Sequence, residues 1–171
     1  MSKTIKYILL ASTLLIIQML INEFVNIWPM IYIAIFPLFI FALPFKLNGS
    51  LLMICAFTYG LIIDILTEGI IGINASALLA ITIFKNPIVH ITVPKSVIEK
   101  SPTLICNEIY LWKQAIIYFL LFTIYFTVYI PLDSIGSFSL LYVFIRFALN
   151  IIINVVLALF VGNILVKQII K

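Results

Sequence analysis

The stretch whose reading decides the fold runs from Tyr59 to Ile81, YGLIIDILTEGIIGINASALLAI. It sets an aspartate, Asp64, inside a run of isoleucines and leucines, follows it with Glu68, and spaces glycines at positions 60, 69 and 72. A carboxylate among apolar residues is expensive to keep, so it implies a partner or a function. On either side, small residues recur every four positions, Ala56 and Gly60 before Asp64 and Gly72, Ser76 and Ala80 after it. That spacing lines up one stripe of a helix. Such stripes let membrane helices approach closely, while polar side chains hydrogen-bond across the contact. The reading is of two helices joined by the short connection TEG, with the glycines permitting close contact and Asp64 anchoring it.

The rest of the chain sets this hairpin in a membrane. Of its 171 residues, 65% are hydrophobic and 9% charged, where a soluble domain carries about 25% charged residues. Nearly every residue is needed for membrane spans, so the whole of 1–171 is expected to be one membrane domain. Cys55 and Cys106 show no metal-ligand spacing and read as unpaired thiols. The opening MSKTIKYILLASTLLIIQML has lysines before an apolar run but no small-residue cleavage site after it, and reads as a retained first span.

Six apolar segments can be marked: 5–20, 27–45, 51–66, 70–84, 115–130 and 138–166. All are expected to be helices, giving an all-α bundle of six transmembrane helices. A helix needs about 20 residues to cross the hydrocarbon core, and several of these are short. With the N-terminus in the cytoplasm and six crossings, all nine lysines (3, 6, 46, 85, 95, 100, 113, 167 and 171) fall on the cytoplasmic side. The outer connections hold Glu23, Glu68 and Asp133 and no lysine. Both termini are therefore expected in the cytoplasm. A re-entrant hairpin of the third and fourth segments would preserve the same parity. The outer connections are short, and the long one, 85–113, is cytoplasmic. Within it, Ser101 and Pro102 look like an N-cap and first helical position, which predicts a fifth helix starting near Pro102.

Two ionisable residues lie at membrane depth, Asp64 in the third span and Arg146 in the sixth. At 1.5 Å per residue both sit about 8 to 9 Å from their span centres toward the outer face, so a pair is geometrically possible. Arg146 opens a ladder of Asn150, Asn154, Ala158 and Gly162 on one helical stripe. Two readings stand: a structural pair or polar glue inside the bundle, or the lining of a groove that receives a partner or ligand. His90 has no second ligand at metal spacing and reads as a satisfied or exposed loop residue. Trp28 and Trp112 read as interfacial anchors, and the lysine-rich inner face can touch anionic lipid.

No nucleophile with its base, paired carboxylates or metal ligands can be assembled from these residues, so neither enzyme, cofactor nor metal is expected. There is also no phosphate loop and no basic folded surface for nucleic acid.

The Tyr59–Ile81 stretch is similar to the signature of the rod shape-determining protein MreD family. In that family a span ending in glycine, apolar residues and aspartate leads through a glycine-containing turn into a second small-residue helix. The resemblance rests on Gly60, Leu61, Asp64, Gly69 and Gly72. It is supported by chain size, the six-helix layout and FPLFIFALPFK leading out of the second span. It implies a non-enzymatic scaffold in the bacterial inner membrane that serves cell-wall elongation. The partners it implies are MreC, a single-span periplasmic protein, together with MreB, RodA and a penicillin-binding transpeptidase. Members of the family also resemble in fold the substrate-binding S components of energy-coupling-factor vitamin transporters, which supplies the alternative function. Against that alternative, the first helix has Ala11 followed by Leu15 instead of alanines four apart, and the outer loops are short for a lid over a ligand.

Overall fold

The computed structural model describes residues 3–24, 30–45, 47–68, 70–100, 103–105, 109–134 and 139–166. Within them the chain is helical, with no strand. The elements are α1 (Lys3–Phe24), α2 (Pro37–Ala42), α3 (Gly49–Ile63), α4 (Ile73–Thr92), α5 (Lys95–Lys100), α6 (Leu111–Asp133) and α7 (Leu140–Val161). Wider π-helical turns, Asp64–Glu68 and Gly162–Val166, extend α3 and α7. Five helices are long and apolar enough to cross a membrane: Thr4–Phe24, Gly49–Thr67, Ile73–Thr92, Leu111–Asp133 and Leu140–Ile164. The chain is a multi-pass membrane protein. Helix α4 packs between α3 and α6, and α7 packs on α6.

The expected second helix, 27–45, is not formed as such. Residues 31–35 run without helix, and only Pro37–Ala42 coils, as six residues. Ile31, Ile33 and Ile35 alternate with Tyr32, Ala34 and Phe36, a period of two with β-branched residues that suits extended backbone. Pro37 then opens α2, where a missing N–H costs nothing. The helix stops at Leu43, whose extended conformation suits the residue before Pro44. Hydropathy cannot separate these conformations, because Ala34 through Leu43 are buried whatever their backbone.

Other boundaries move as well. Helix α4 passes Phe84 and runs through Pro87 to Thr92, so the start of the 85–113 connection is helical and His90 lies exposed in its last turn. The helices of the third and fourth segments are each long and apolar enough to cross a membrane. The next long helix starts at Leu111, not near Pro102; Ser101 and Pro102 themselves lie outside the described residues, as do Trp28, Gly69 and Cys106.

Aromatic side chains fill the centre. Tyr118, Phe122, Tyr125, Phe126 and Tyr129 on α6 are all buried. They meet the broken segment through Phe41 on Tyr118, Phe36 on Tyr125 and Tyr32 on Tyr129, with ring centroids 5.1, 6.0 and 4.5 Å apart.

Candidate functional site: the polar lining of the bundle

Non-helical backbone at membrane depth is tolerated only where protein satisfies its N–H and C=O groups. Three amide side chains do this for residues 30–35. Asn150 accepts from the Tyr32 N–H (2.6 Å) and donates to the Met30 carbonyl (2.8 Å). One turn on, Asn154 accepts from the Ala34 N–H (2.7 Å) and donates to the Tyr32 carbonyl (2.8 Å). On the opposite edge, Gln18 of α1 accepts from the Ile35 N–H (2.9 Å) and donates to the Ile33 carbonyl (2.8 Å). Backbone groups of an extended chain point alternately to its two edges. The even-numbered residues thus face α7 and the odd-numbered ones face α1, with amide side chains standing where neighbouring strands would be. The Arg146 stripe faces inward for this reason: Arg146, Asn150, Asn154, Ala158 and Gly162 are all buried.

At the far end of the segment, Lys85 is fully buried. It donates to the carbonyls of Ile40 (2.7 Å) and Leu43 (2.8 Å). These are carbonyls at the C-terminal end of α2, the negative end of the helix dipole; that of Ile40 also accepts from the Leu43 N–H (3.3 Å). The Phe45 ring lies 5.6 Å from the ammonium.

Asp64 has neither the partner nor the role expected from depth alone. It is fully buried, and its Oδ2 accepts from the N–H of Gly72 (2.8 Å) and of Ala75 (3.3 Å), while Oδ1 accepts from the N–H of Asn74 (2.9 Å). These are N-terminal donors of α4, which have no partner within their own helix. A carboxylate there also meets the positive end of the dipole. Asp64 is thus a cap delivered from the preceding helix across the turn. Gly72 makes the turn possible with φ +107, a conformation that glycine adopts without strain. Gly60 lets α3 and α4 meet, and Ala56 is buried with it. On the other stripe, Gly72, Ser76 and Ala80 are only half-buried.

Arg146 pairs instead with Asp133, Nη1 to Oδ2 at 2.6 Å, and donates to the Ser134 hydroxyl at 3.1 Å. The expected Asp64–Arg146 pair is replaced by two separate arrangements. A cavity of about 310 Å³ lies beside Arg146 and Asp133, walled also by Tyr32, Tyr129, Thr67 and Ile70. Because Asn22 and Thr67 share this lining, α1 and α3 finish at the same end of the bundle. The broken segment leaves that end at Ile31 and Ile33 and reaches the level of Lys85 by Leu43. Beneath the cavity, Asn74 Oδ1 accepts from the Tyr125 hydroxyl, and from that of Tyr32 at 3.5 Å.

Gln18, Lys85, Asp133 and the three tyrosines join the polar lining without having been singled out in the sequence. Gln18 had a visible signal, a lone amide mid-way through an apolar helix. Among the described residues no group of three or more His, Cys, Asp or Glu could hold a metal ion. No family model matches the chain, and no curated protein or solved structure does either.

Proposed function

We propose that the chain is a non-enzymatic scaffold of the bacterial cell-wall elongation machinery, of the MreD kind. In this reading it lies in the inner membrane with six crossings, the broken segment counted as the second, and both termini in the cytoplasm. The observation that carries the reading is the Asp64 turn. Gly60, Asp64 and Gly72, which carry the resemblance, act as one unit, with glycine contact, carboxylate cap and turn interlocked. Further support comes from the polar side chains at membrane depth. Gln18, Asp64, Lys85, Asn150 and Asn154 all hold backbone of this same chain, which favours a rigid body that presents its surface to other proteins.

Its partner is MreC, through whose single span it is linked to MreB, RodA and a penicillin-binding transpeptidase. Ala56 and Gly60 are already used inside the bundle, so the surface for that span is the half-buried stripe Gly72, Ser76 and Ala80. Close packing drives helix association in lipid, and Ala80→Leu should lower recovery of the single-span partner while the protein stays inserted. Gly72 is a poor test position, because a side chain there strains the backbone whatever the partner does. The test of function is depletion. Cells should round or widen as lateral wall synthesis fails, whereas cells that keep their shape and require an added vitamin would replace the scaffold with a transporter component.

A further inference from the structure

The cavity at the Arg146–Asp133 pair is built as more than a latch between α6 and α7. A guanidinium has five donors. Nη1 serves Asp133 and Ser134 and Nε is buried out of reach, which leaves Nη2, for which the described residues offer no acceptor, as the open donor. Arg146 itself is 6% exposed. Asp133 uses Oδ2 on Arg146, and its Oδ1 takes no hydrogen bond from the described residues. The pair therefore leaves a donor edge and an acceptor edge side by side on the wall of a space of about 310 Å³. That is the lower end of the ~300–1,000 Å³ typical of ligand sites.

The chemistry of the walls selects the occupant. One positive and one negative charge line the cavity, so an ion of either sign would bring an uncompensated charge into low-dielectric surroundings. A group carrying both charges can answer both edges with charge-assisted bonds, about twice as strong as neutral ones. Tyr129, buried and stacked on Tyr32 and Tyr125, closes the aromatic side of the cavity. Ile31, Ile33 and Ile70 give an apolar wall for an attached stem.

We propose that this cavity binds an overall neutral, zwitterionic head group, its oxyanion against Arg146 and its ammonium against Asp133. The Arg146–Asp133 bond stays intact, since the ligand takes only the edges it leaves open. The site goes beyond the scaffold reading and does not depend on it. Such a head group can come from a lipid of the facing leaflet or from a free zwitterionic solute.

The test uses the purified full chain in maltoside detergent, read by thermal shift. Probes are dihexanoyl phosphatidylethanolamine, dihexanoyl phosphatidylglycerol and free phosphoethanolamine. The phosphatidylethanolamine should stabilise at concentrations about 10-fold lower than the phosphatidylglycerol, as expected when one charge-assisted contact is lost. Saturation by phosphoethanolamine at similar concentrations would identify a soluble ligand, and a response confined to the chain-bearing form would identify a lipid. Ile70→Trp, which adds bulk to the cavity wall, should abolish the response. Arg146→Lys, which keeps the charge but loses the fork, should weaken it. Equal responses to the ethanolamine and glycerol lipids, or no response to any probe in the wild type, would overturn the proposal. So would a full response in Ile70→Trp.

Discussion

Gly60 and Ala75 touch backbone to backbone: a Cβ at position 60 would stand 2.4 Å from the Ala75 Cα and 2.8 Å from its nitrogen. No rotamer change relieves such a contact, so Gly60→Ala must push α3 from α4, and overpacking of this kind costs about 1–3 kcal/mol. The thermal midpoint of the purified protein should fall clearly for Gly60→Ala and hardly at all for Gly49→Ala, where nothing lies within 4 Å. Adding Ala75→Gly should not rescue Gly60→Ala, because the obstacle is main chain. Rescue would mean that the side chain at 75 sets the spacing.

Among the described residues Asp64 serves N–H groups and no cation, and this fixes the order of its variants. Asp64→Asn keeps one acceptor oxygen but turns an amide donor toward other N–H donors, and Asp64→Ala leaves all three N–H groups without it. Each unsatisfied buried group costs about 1–3 kcal/mol, so the two variants should be similarly destabilised. Measured as thermal midpoints, a near-native Asp64→Asn would show that the negative charge and the second oxygen are dispensable.

The sequence made the membrane class, the α3–α4 hairpin and the inward face of the Arg146 ladder readable, because each follows from hydropathy or from spacing along a helix. Partners were harder. Depth along a span says nothing of the direction in which a side chain points, so Asp64 and Arg146 matched in depth yet found other partners. Asp64 reaches donors only 8 to 11 residues away, created by the Gly72 turn. Lys85 and Asp133 were assigned to loops because the apolar runs stop at Phe84 and Ile130, but both helices continue and carry these charges into the bundle or onto the cavity wall. The broken segment between α1 and α3 was hidden because full burial makes extended and helical chain equally apolar. The alternation of Ile31, Ile33 and Ile35, together with Asn150 and Asn154 one turn apart, was the available signal.

That clamp predicts a local readout. Asn154→Leu removes the partners of the Ala34 N–H and the Tyr32 carbonyl, both at membrane depth, at about 1–3 kcal/mol for each group left unsatisfied. Hydrogen exchange of a peptide covering 30–36 should be slow in the wild type and accelerate in Asn154→Leu, with α6 peptides unchanged. Uniform acceleration across the protein, or none, would count against a local clamp.

The Arg146–Asp133 pair predicts an asymmetry between its two halves. The Arg146 side chain is 7% exposed and that of Asp133 26%, so water can relieve a lone Asp133 better than a lone Arg146. Breaking a buried pair costs about 3–5 kcal/mol, and Asp133→Ala should approach that figure while Arg146→Leu falls short of it. The charge-exchanged double variant, Asp133→Arg with Arg146→Asp, should recover part of what the worse single exchange loses, by thermal midpoint in detergent. Asp64→Ala combined with Arg146→Leu should be additive within about 0.5 kcal/mol, as for sites with no shared partner. Strong coupling between positions 64 and 146, with none between 133 and 146, would restore the pairing that depth alone suggests and refute the arrangement described here.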